Sequence, residues 1–177
     1  MTIFRGHQPA VAIPFWRTLL LVVCGALASA PTHAAGCNVN STGLAFGSYN
    51  PLNLPGGSPS PAKTADASIS IACTGIVGGG SFTLALGPSS VGAGDRISTR
   101  YLANGGGGDH MAFNVYTTSG YSAIWGDGTT GSLMGGTIPA GDSTQPLTVF
   151  GRIPAGQHTL KTGSFSGALT VTLTYEP

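Results

Sequence analysis

The sequence predicts an all-β fold, an antiparallel sandwich, on the strength of three observations. Only 7% of the residues are charged, while Gly and Pro number 29 and 12, and Lys, Glu and Met are scarce, which is typical of a turn-rich β chain. Residues 163–177 place apolar side chains on one parity and Ser, Thr or Glu on the other, the period of a half-buried strand. Shorter alternating stretches recur between Gly- and Pro-rich turns, as in a sandwich.

Residues 1–34 are predicted to be a cleaved export signal. Arg5 and Arg17 supply the basic region, and the apolar stretch 18–30 follows them. This stretch is too short for a membrane span, which needs roughly 20 apolar residues. Cleavage after Ala34 is favoured because small residues occupy both recognition positions. The protein is therefore expected to be exported, to the periplasm in transit and then to the cell surface or outside the cell.

The processed chain, residues 35–177, is long enough for one domain. A lipoprotein site at Cys37 is the alternative processing, but Cys37 lies too far beyond the apolar stretch. Loss of the two signal arginines leaves five basic residues against six acidic ones. No basic patch survives, so nucleic acid is not expected as a partner, and no membrane span remains after cleavage.

Cys37 and Cys73 are the cysteines of the processed chain, because Cys24 lies in the predicted signal. Two cysteines in an exported protein imply one disulfide with a single connectivity. Both residues fall on apolar faces of predicted strands, so the sulfurs can meet in the core. A metal site is not expected, since two thiols without a nearby His supply too few ligands.

The first half of the processed chain alternates in three places. Strands are predicted at 37–41, 67–73 and 81–87, each with apolar residues on its inward parity. Phe46 and Tyr49 are predicted core anchors between the first two of these strands. Because a Gly-rich turn alone separates 67–73 from 81–87, these two strands are predicted to form a hairpin.

The second half continues the pattern of short extended segments. They are predicted at 96–102, 111–116, 121–125 and 145–150, with the terminal strand at 163–177 and no helical period between them. The terminal strand is strongly apolar on one face, and no residue after it is available to pair with its second edge. How that edge is satisfied is therefore expected to matter for function.

Catalytic, cofactor and metal sites are not predicted. The glycine run 104–110 lacks the Lys-Ser/Thr and the helix of a phosphate loop, so a flexible turn is favoured. The segment 126–131 has a single acid, too few ligands for calcium. His110 and His158 lie in loops and no Gly-x-Ser-x-Gly motif is present, so no enzyme and no cofactor are expected.

Two surface candidates keep two interpretations each. Arg152 lies between Phe150 and Ile153, where it either hydrogen-bonds loop carbonyls or anchors a partner chain. Tyr121 with Trp125 is compatible with a sugar-binding platform, but aromatic core residues at strand ends are the commoner case.

Seven short segments, taken in order and spacing, resemble a known family. They are 37–39 with 46–51, 69–73, 113–117, 125–128, 150–157 and 163–175. Together they are similar to the spore coat protein U domain, a family that also describes subunits of archaic chaperone–usher pili. Phe150 and Phe165 stand where the family usually has Tyr, and Gly167 stands where it usually has Asp.

The resemblance implies an immunoglobulin-like sandwich that is incomplete and lacks its final strand. A periplasmic chaperone would lend that strand, an outer-membrane usher would receive the subunit, and a neighbouring pilus subunit would then replace the lent strand. The inward row of the terminal stretch would line the partner-strand groove. This row consists of Phe165, Leu169, Val171, Leu173 and Tyr175.

One feature departs from this pattern. Cleavage after Ala34 leaves two residues before Cys37, too few to donate a strand to a neighbour. The expectation is therefore a subunit that accepts a strand without donating one, such as a tip or terminal subunit. The alternatives are a self-contained secreted adhesin or lectin-like binding module, or a spore or cyst coat protein.

Overall fold

The computed structural model describes residues 35–50 and 61–176. The predicted signal, residues 1–34, lies outside them, as does most of the predicted loop 55–61. The described residues form nine strands, and none of their segments is a helix long and apolar enough to cross a membrane. The strands are β1 Gly36–Ser41, β2 Lys63–Ile76, β3 Gly80–Leu86, β4 Arg100–Asn104, β5 His110–Tyr116, β6 Met134–Ile138, β7 Gly141–Ile153, β8 Phe165–Ser166 and β9 Val171–Glu176.

Two antiparallel sheets form the domain. The large sheet has six strands in the order β1-β2-β7-β5-β4-β8, and the small sheet has three in the order β6-β3-β9. The inward side chains of both sheets meet in one hydrophobic core. The prediction of an all-β, antiparallel fold is confirmed.

Alternating burial along the strands builds this core. The inward residues predicted for β2, β3 and β5 are all buried, and burial of each such side chain stabilises the fold by about 1.5–3 kcal/mol. They are Ile69, Ile71, Cys73, Phe82, Leu84, Leu86, Met111, Phe113 and Val115. The residues between them are less buried, such as half-buried Ser70 and exposed Thr83, except for Asn114, which is also buried.

A disulfide joins Cys37 to Cys73, which are directly opposite partners in the pairing of β1 with β2. The predicted connectivity is confirmed. Within the described residues β1 pairs with β2 alone, so the bond fastens an edge strand to the interior of the large sheet.

The predicted hairpin between residues 67–73 and 81–87 is wrong. β2 pairs with β1 and β7 in the large sheet, whereas β3 pairs with β6 and β9 in the small sheet. The turn after Ile76 carries the chain from one sheet to the other. Alternation identifies which side chains face the core, but both sheets face the same core, so it does not identify the neighbouring strand.

Two extended segments were also misplaced. Residues 121–125 form isolated bridges and no strand, because Tyr121 has a φ of 53° and turns the chain. The segment predicted at 96–102 begins only at Arg100, since Arg96 has a φ of 56°. β6 was not predicted, because Gly135 and Gly136 give it no strand signal.

The terminal stretch is two strands in two sheets, which corrects the single strand predicted at 163–177. β8 pairs with β4 in the large sheet, and β9 pairs with β3 in the small sheet. Residues 167–170 connect them. The alternation continues across this connection because the inward parity points to the same core from either sheet.

The turn after Trp125 depends on a glycine. The Gly126 amide donates to the Ser132 carbonyl, and a Cβ on Gly126 would overlap the Thr130 carbonyl. We expect Gly126→Ala to lower the free energy of unfolding by about 1–3 kcal/mol, since backbone must move to accept the methyl group. Urea denaturation of the protein measures this change.

Gly120→Ala is the matched control. A Cβ at Gly120 has no heavy atom within 4 Å, so this variant should unfold within about 0.5 kcal/mol of the unmodified protein. Equal effects of the two substitutions would contradict the account of the turn.

Candidate functional site

An apolar groove of about 910 Å³ opens between the sheets at one side of the domain. One wall is the segment 41–50, which follows β1, and the other wall is the segment 160–171. Its floor consists of core side chains from both sheets, among them Leu86, Phe113 and Trp125. This concavity is called the groove.

The Thr42 amide donates to the Ser68 carbonyl at 3.0 Å, and beyond Thr42 the first wall packs on the large sheet through side chains. The Phe46 ring meets the Phe113 ring edge-on with centroids 6.0 Å apart. Phe46 and Leu44 also cover Gly151, where a Cβ would come within 3.0 Å of both side chains. Within the described residues, 44–49 make no backbone–backbone hydrogen bond. Their peptide groups are therefore available to a strand lying in the groove.

Tyr49 fixes the far end of this wall. Its hydroxyl donates to the Pro154 carbonyl at 3.1 Å and accepts from the Gln157 amide at 3.4 Å. Phe46 and Tyr49 are both half-buried and pack against the core, so the prediction of two core anchors is confirmed.

The second wall contains part of the predicted row. Phe165, Leu169 and Val171 line the groove. Leu173 and Tyr175 lie further along β9, opposite Leu84 and Phe82, and are not among the lining residues. All five are half-buried and pack against the core. The structure thus brings three of the five predicted residues together at the groove.

Edge strands border this side of the domain. Among the described residues, β9 pairs with β3 alone, β1 with β2 alone and the two-residue β8 with β4 alone. β1 and β9 lie close to one another without pairing. Each edge presents unpaired N–H and C=O groups, which are a template for an added strand.

A buried cation that sequence reasoning missed binds the backbone of Leu86, which lines the groove. The Arg100 guanidinium is fully buried and donates to the Leu86 carbonyl at 2.8 Å, the Gly87 carbonyl at 3.0 Å and Asn114 Oδ1 at 2.7 Å. Burial lowers the pKa of Arg100 to about 10, opposed in part by the charges of Asp95 and Asp127. Arg100 is therefore a cation at neutral pH that holds the end of β3.

The sequence feature that could have identified Arg100 as buried is its position in the alternation along β4. Arg100 shares the inward parity of Leu102, which packs against the core. A charged residue at an inward, apolar position of a strand indicates a buried group that is hydrogen-bonded, because burying an unpaired charge would cost too much free energy.

The sequence model of the family described as the Spore Coat Protein U domain matches residues 23–172. This chain belongs to the spore coat protein U domain family. No curated protein matches the sequence.

A solved structure shares the fold of this spore coat protein U domain. One chain of the CsuC–CsuE chaperone–tip adhesion subunit pre-assembly complex, from the archaic chaperone–usher Csu pili of Acinetobacter baumannii, is similar with a TM-score of 0.52 and 14% identity. The likeness covers 78% of this chain and 39% of that one. A chain of a chaperone–tip adhesin complex of CFA/I fimbriae biogenesis has 12% identity over 79% and 42% of the two chains, with a TM-score of 0.41.

This spore coat protein U domain thus spans about two fifths of the length of either matched chain. At such low identity the likeness concerns the fold alone. It is consistent with the two-sheet architecture described above.

Trp125 of the spore coat protein U domain is a core residue. It is 1% exposed, and its Nε1 donates to the Leu84 carbonyl at 3.0 Å. The core interpretation is confirmed, and the platform formed with Tyr121 is wrong because Trp125 does not reach the surface.

Arg152 lies outside the groove. Its side chain is exposed and stands 5.3 Å from the centroid of the Tyr121 ring. It makes no hydrogen bond to a carbonyl of the described residues, which contradicts the loop-carbonyl interpretation. Its role as an anchor for a partner stays a prediction.

The two segments weighed as ligand loops are turns. Residues 105–109 connect β4 to β5. The Asp127 carboxylate accepts from the amides of Thr129 and Thr130, which lowers the pKa of that carboxyl and closes the turn. In the part of the chain that the structure describes, no three His, Cys, Asp or Glu residues cluster as metal ligands would.

Proposed function

We propose that this spore coat protein U domain is a structural subunit of a bacterial surface appendage, assembled by donor-strand complementation through a chaperone–usher pathway. Its partners in the proposal are a periplasmic chaperone, an outer-membrane usher and neighbouring pilus subunits, reached after export from the cell. The observation that carries the proposal is an apolar groove bordered by edge strands that have no second neighbour among the described residues. No catalytic role is part of it.

The physical argument is that of β-augmentation. An extended segment entering the groove would pair its backbone with open edges and place alternate side chains against the apolar floor. Each buried side chain contributes about 1.5–3 kcal/mol, so several together offset the cost of association and ordering. A groove left empty would expose apolar surface and favour aggregation.

The position of the subunit is a finer part of the proposal. In the similar Csu complex the partners are a chaperone and a tip adhesion subunit. For this chain we propose an accepting position at the end of the appendage, which immunogold labelling of isolated fibres tests. Labelling along the whole length would contradict the terminal position, but it would not contradict the proposal that the groove accepts a strand.

Val171→Glu tests the groove directly. Val171 lines the groove and is half-buried opposite Leu86. A carboxylate there would be buried against apolar surface when a donor strand is bound, and the cost of several kcal/mol should reduce the amount recovered with a co-expressed chaperone at least about tenfold. Affinity purification of the chaperone complex measures the recovery.

Thr172→Glu is the matched control, since the neighbouring Thr172 is exposed on the opposite face of β9. Its recovery should be close to that of the unmodified protein. The proposal is wrong if the isolated domain is a soluble monomer whose cooperative, high-temperature unfolding is unchanged by an added donor-strand peptide, because the sandwich would then be complete.

A further inference from the structure

A second concavity lies on the outer side of the large sheet, away from the groove. It has a volume of about 290 Å³ and is lined by Ser98, Thr99, Asn114, Tyr116, Arg152 and Pro154, among others. Tyr116 and Arg152 have the parity opposite to the buried Val115 and Ile153, so they project outward from β5 and β7. This concavity is called the outer cleft.

Arg152 is held in place at the outer cleft without a counterion. Its guanidinium stands 5.3 Å from the centroid of the Tyr121 ring, and that ring meets Tyr116 edge-on with centroids 5.5 Å apart. No carboxylate of the described residues pairs with Arg152, and no described acceptor takes its N–H groups. The ring orients the cation while its hydrogen-bonding edge stays available.

The Tyr121 backbone is in a costly conformation. A φ of 53° is unfavourable for a bulky side chain and costs on the order of 1–3 kcal/mol. The turn is closed by the Tyr121 amide, which donates to the Thr118 carbonyl at 3.1 Å. This backbone conformation places the aromatic ring of Tyr121 under Arg152 at the surface. Tyr121 is not part of the buried core, so core packing does not account for the strain.

The polar side chains of the outer cleft differ in what they can still bind. Ser98 Oγ donates to Asp95 Oδ2 at 2.6 Å, which leaves its lone pairs to accept. The Thr99 hydroxyl makes no hydrogen bond to a described residue. The Asn114 amide is already used, because Nδ2 donates to the carbonyls of Ile97 and Ser98 and Oδ1 accepts from Arg100.

We propose that the outer cleft binds a hexuronate, a sugar unit that carries a carboxylate. The Arg152 fork matches a carboxylate in two hydrogen bonds, Tyr116 supplies an aromatic side chain against which a pyranose can pack, and the hydroxyls of Ser98 and Thr99 match sugar hydroxyls. Ligand sites of about 300–1,000 Å³ hold drug-sized molecules, so the outer cleft suits a single ring. A side-chain carboxylate of a protein would engage Arg152 but leave the two hydroxyls and the ring without partners.

The test is a titration of the full chain with D-glucuronate, followed by NMR and calorimetry. Saturable binding is expected, with amide shifts at Ser98, Thr99 and Tyr116, and with D-glucose binding at least about tenfold more weakly because it lacks the charged group. Arg152→Gln should weaken glucuronate binding by about ten- to a hundredfold, and Arg152→Lys should fall between, since Lys keeps the charge and loses the fork.

Lys161→Gln is the control, because Lys161 is an exposed cation that does not line the outer cleft. It should bind glucuronate like the unmodified protein. Absence of saturable binding, equal binding of glucose and glucuronate, or equal losses in Arg152→Gln and Lys161→Gln would each overturn the proposal. Stronger binding of an acidic peptide than of glucuronate at the same amides would overturn it in favour of a protein partner. None of these outcomes depends on whether the groove accepts a strand.

Discussion

Arg100→Ala is expected to lower the free energy of unfolding by about 3–5 kcal/mol, the range for breaking a buried charged network. The guanidinium is 0% exposed and is the hydrogen-bond donor for Leu86 O, Gly87 O and Asn114 Oδ1. Its removal leaves buried acceptors without their donor and opens a cavity in the core. Because Leu86 lines the groove, the loss should also loosen the groove floor. Urea denaturation and hydrogen exchange of the β3 amides measure the two effects.

Arg152→Ala is the matched control for this prediction. It removes the same side chain from an exposed position where the interaction is with the Tyr121 ring, worth less than about 1 kcal/mol at the surface. Similar losses in both variants would mean that the network around Arg100 contributes little beyond its side-chain volume.

Cys73→Ser is expected to destabilise the domain by about 2–5 kcal/mol, enough to reduce the yield of exported protein sharply. The bond to Cys37 closes a loop with a sequence separation of 36 residues. Cross-linking a loop of that length restricts the unfolded chain by about 3–4 kcal/mol on the entropic account. Cys73 is also 1% exposed, so a serine hydroxyl there would be buried.

A double Cys37→Ala/Cys73→Ala variant separates the cross-link from the hydroxyl. It should lose somewhat less stability than Cys73→Ser, and the native protein should resist thiol labelling before reduction. Labelling of either cysteine in native, unreduced protein would contradict the disulfide assignment.

Features that depend on local alternation could be predicted from the sequence. The inward positions of β2, β3 and β5 follow from a period of two, and the disulfide follows from two cysteines on inward parities. Phe46 and Tyr49 were found because large aromatic residues near a turn usually reach the core. These signals need no knowledge of which strands are neighbours.

Strand pairing could not be predicted in the same way. The turn after Ile76 and residues 167–170 both move the chain between sheets, and the hydrophobic pattern is the same on either side of each change. For that reason the hairpin and the single terminal strand were wrong. The same ambiguity explains why Leu173 and Tyr175 were predicted to line the groove and do not.

The small sheet has a consequence for the kinetics of folding. Its central strand, β3, gains its second neighbour when β9 arrives, and the register pairs Ser81 with Glu176. Chains dominated by such distant pairings fold in milliseconds to seconds, far more slowly than chains with local contacts. The core side chains of β3 therefore stay partly exposed until β9, which lies almost a domain's length away in sequence, pairs with it. These side chains are Phe82, Leu84 and Leu86. The rate at which β9 pairs with β3 determines how long these apolar side chains can associate with other chains before the core is buried.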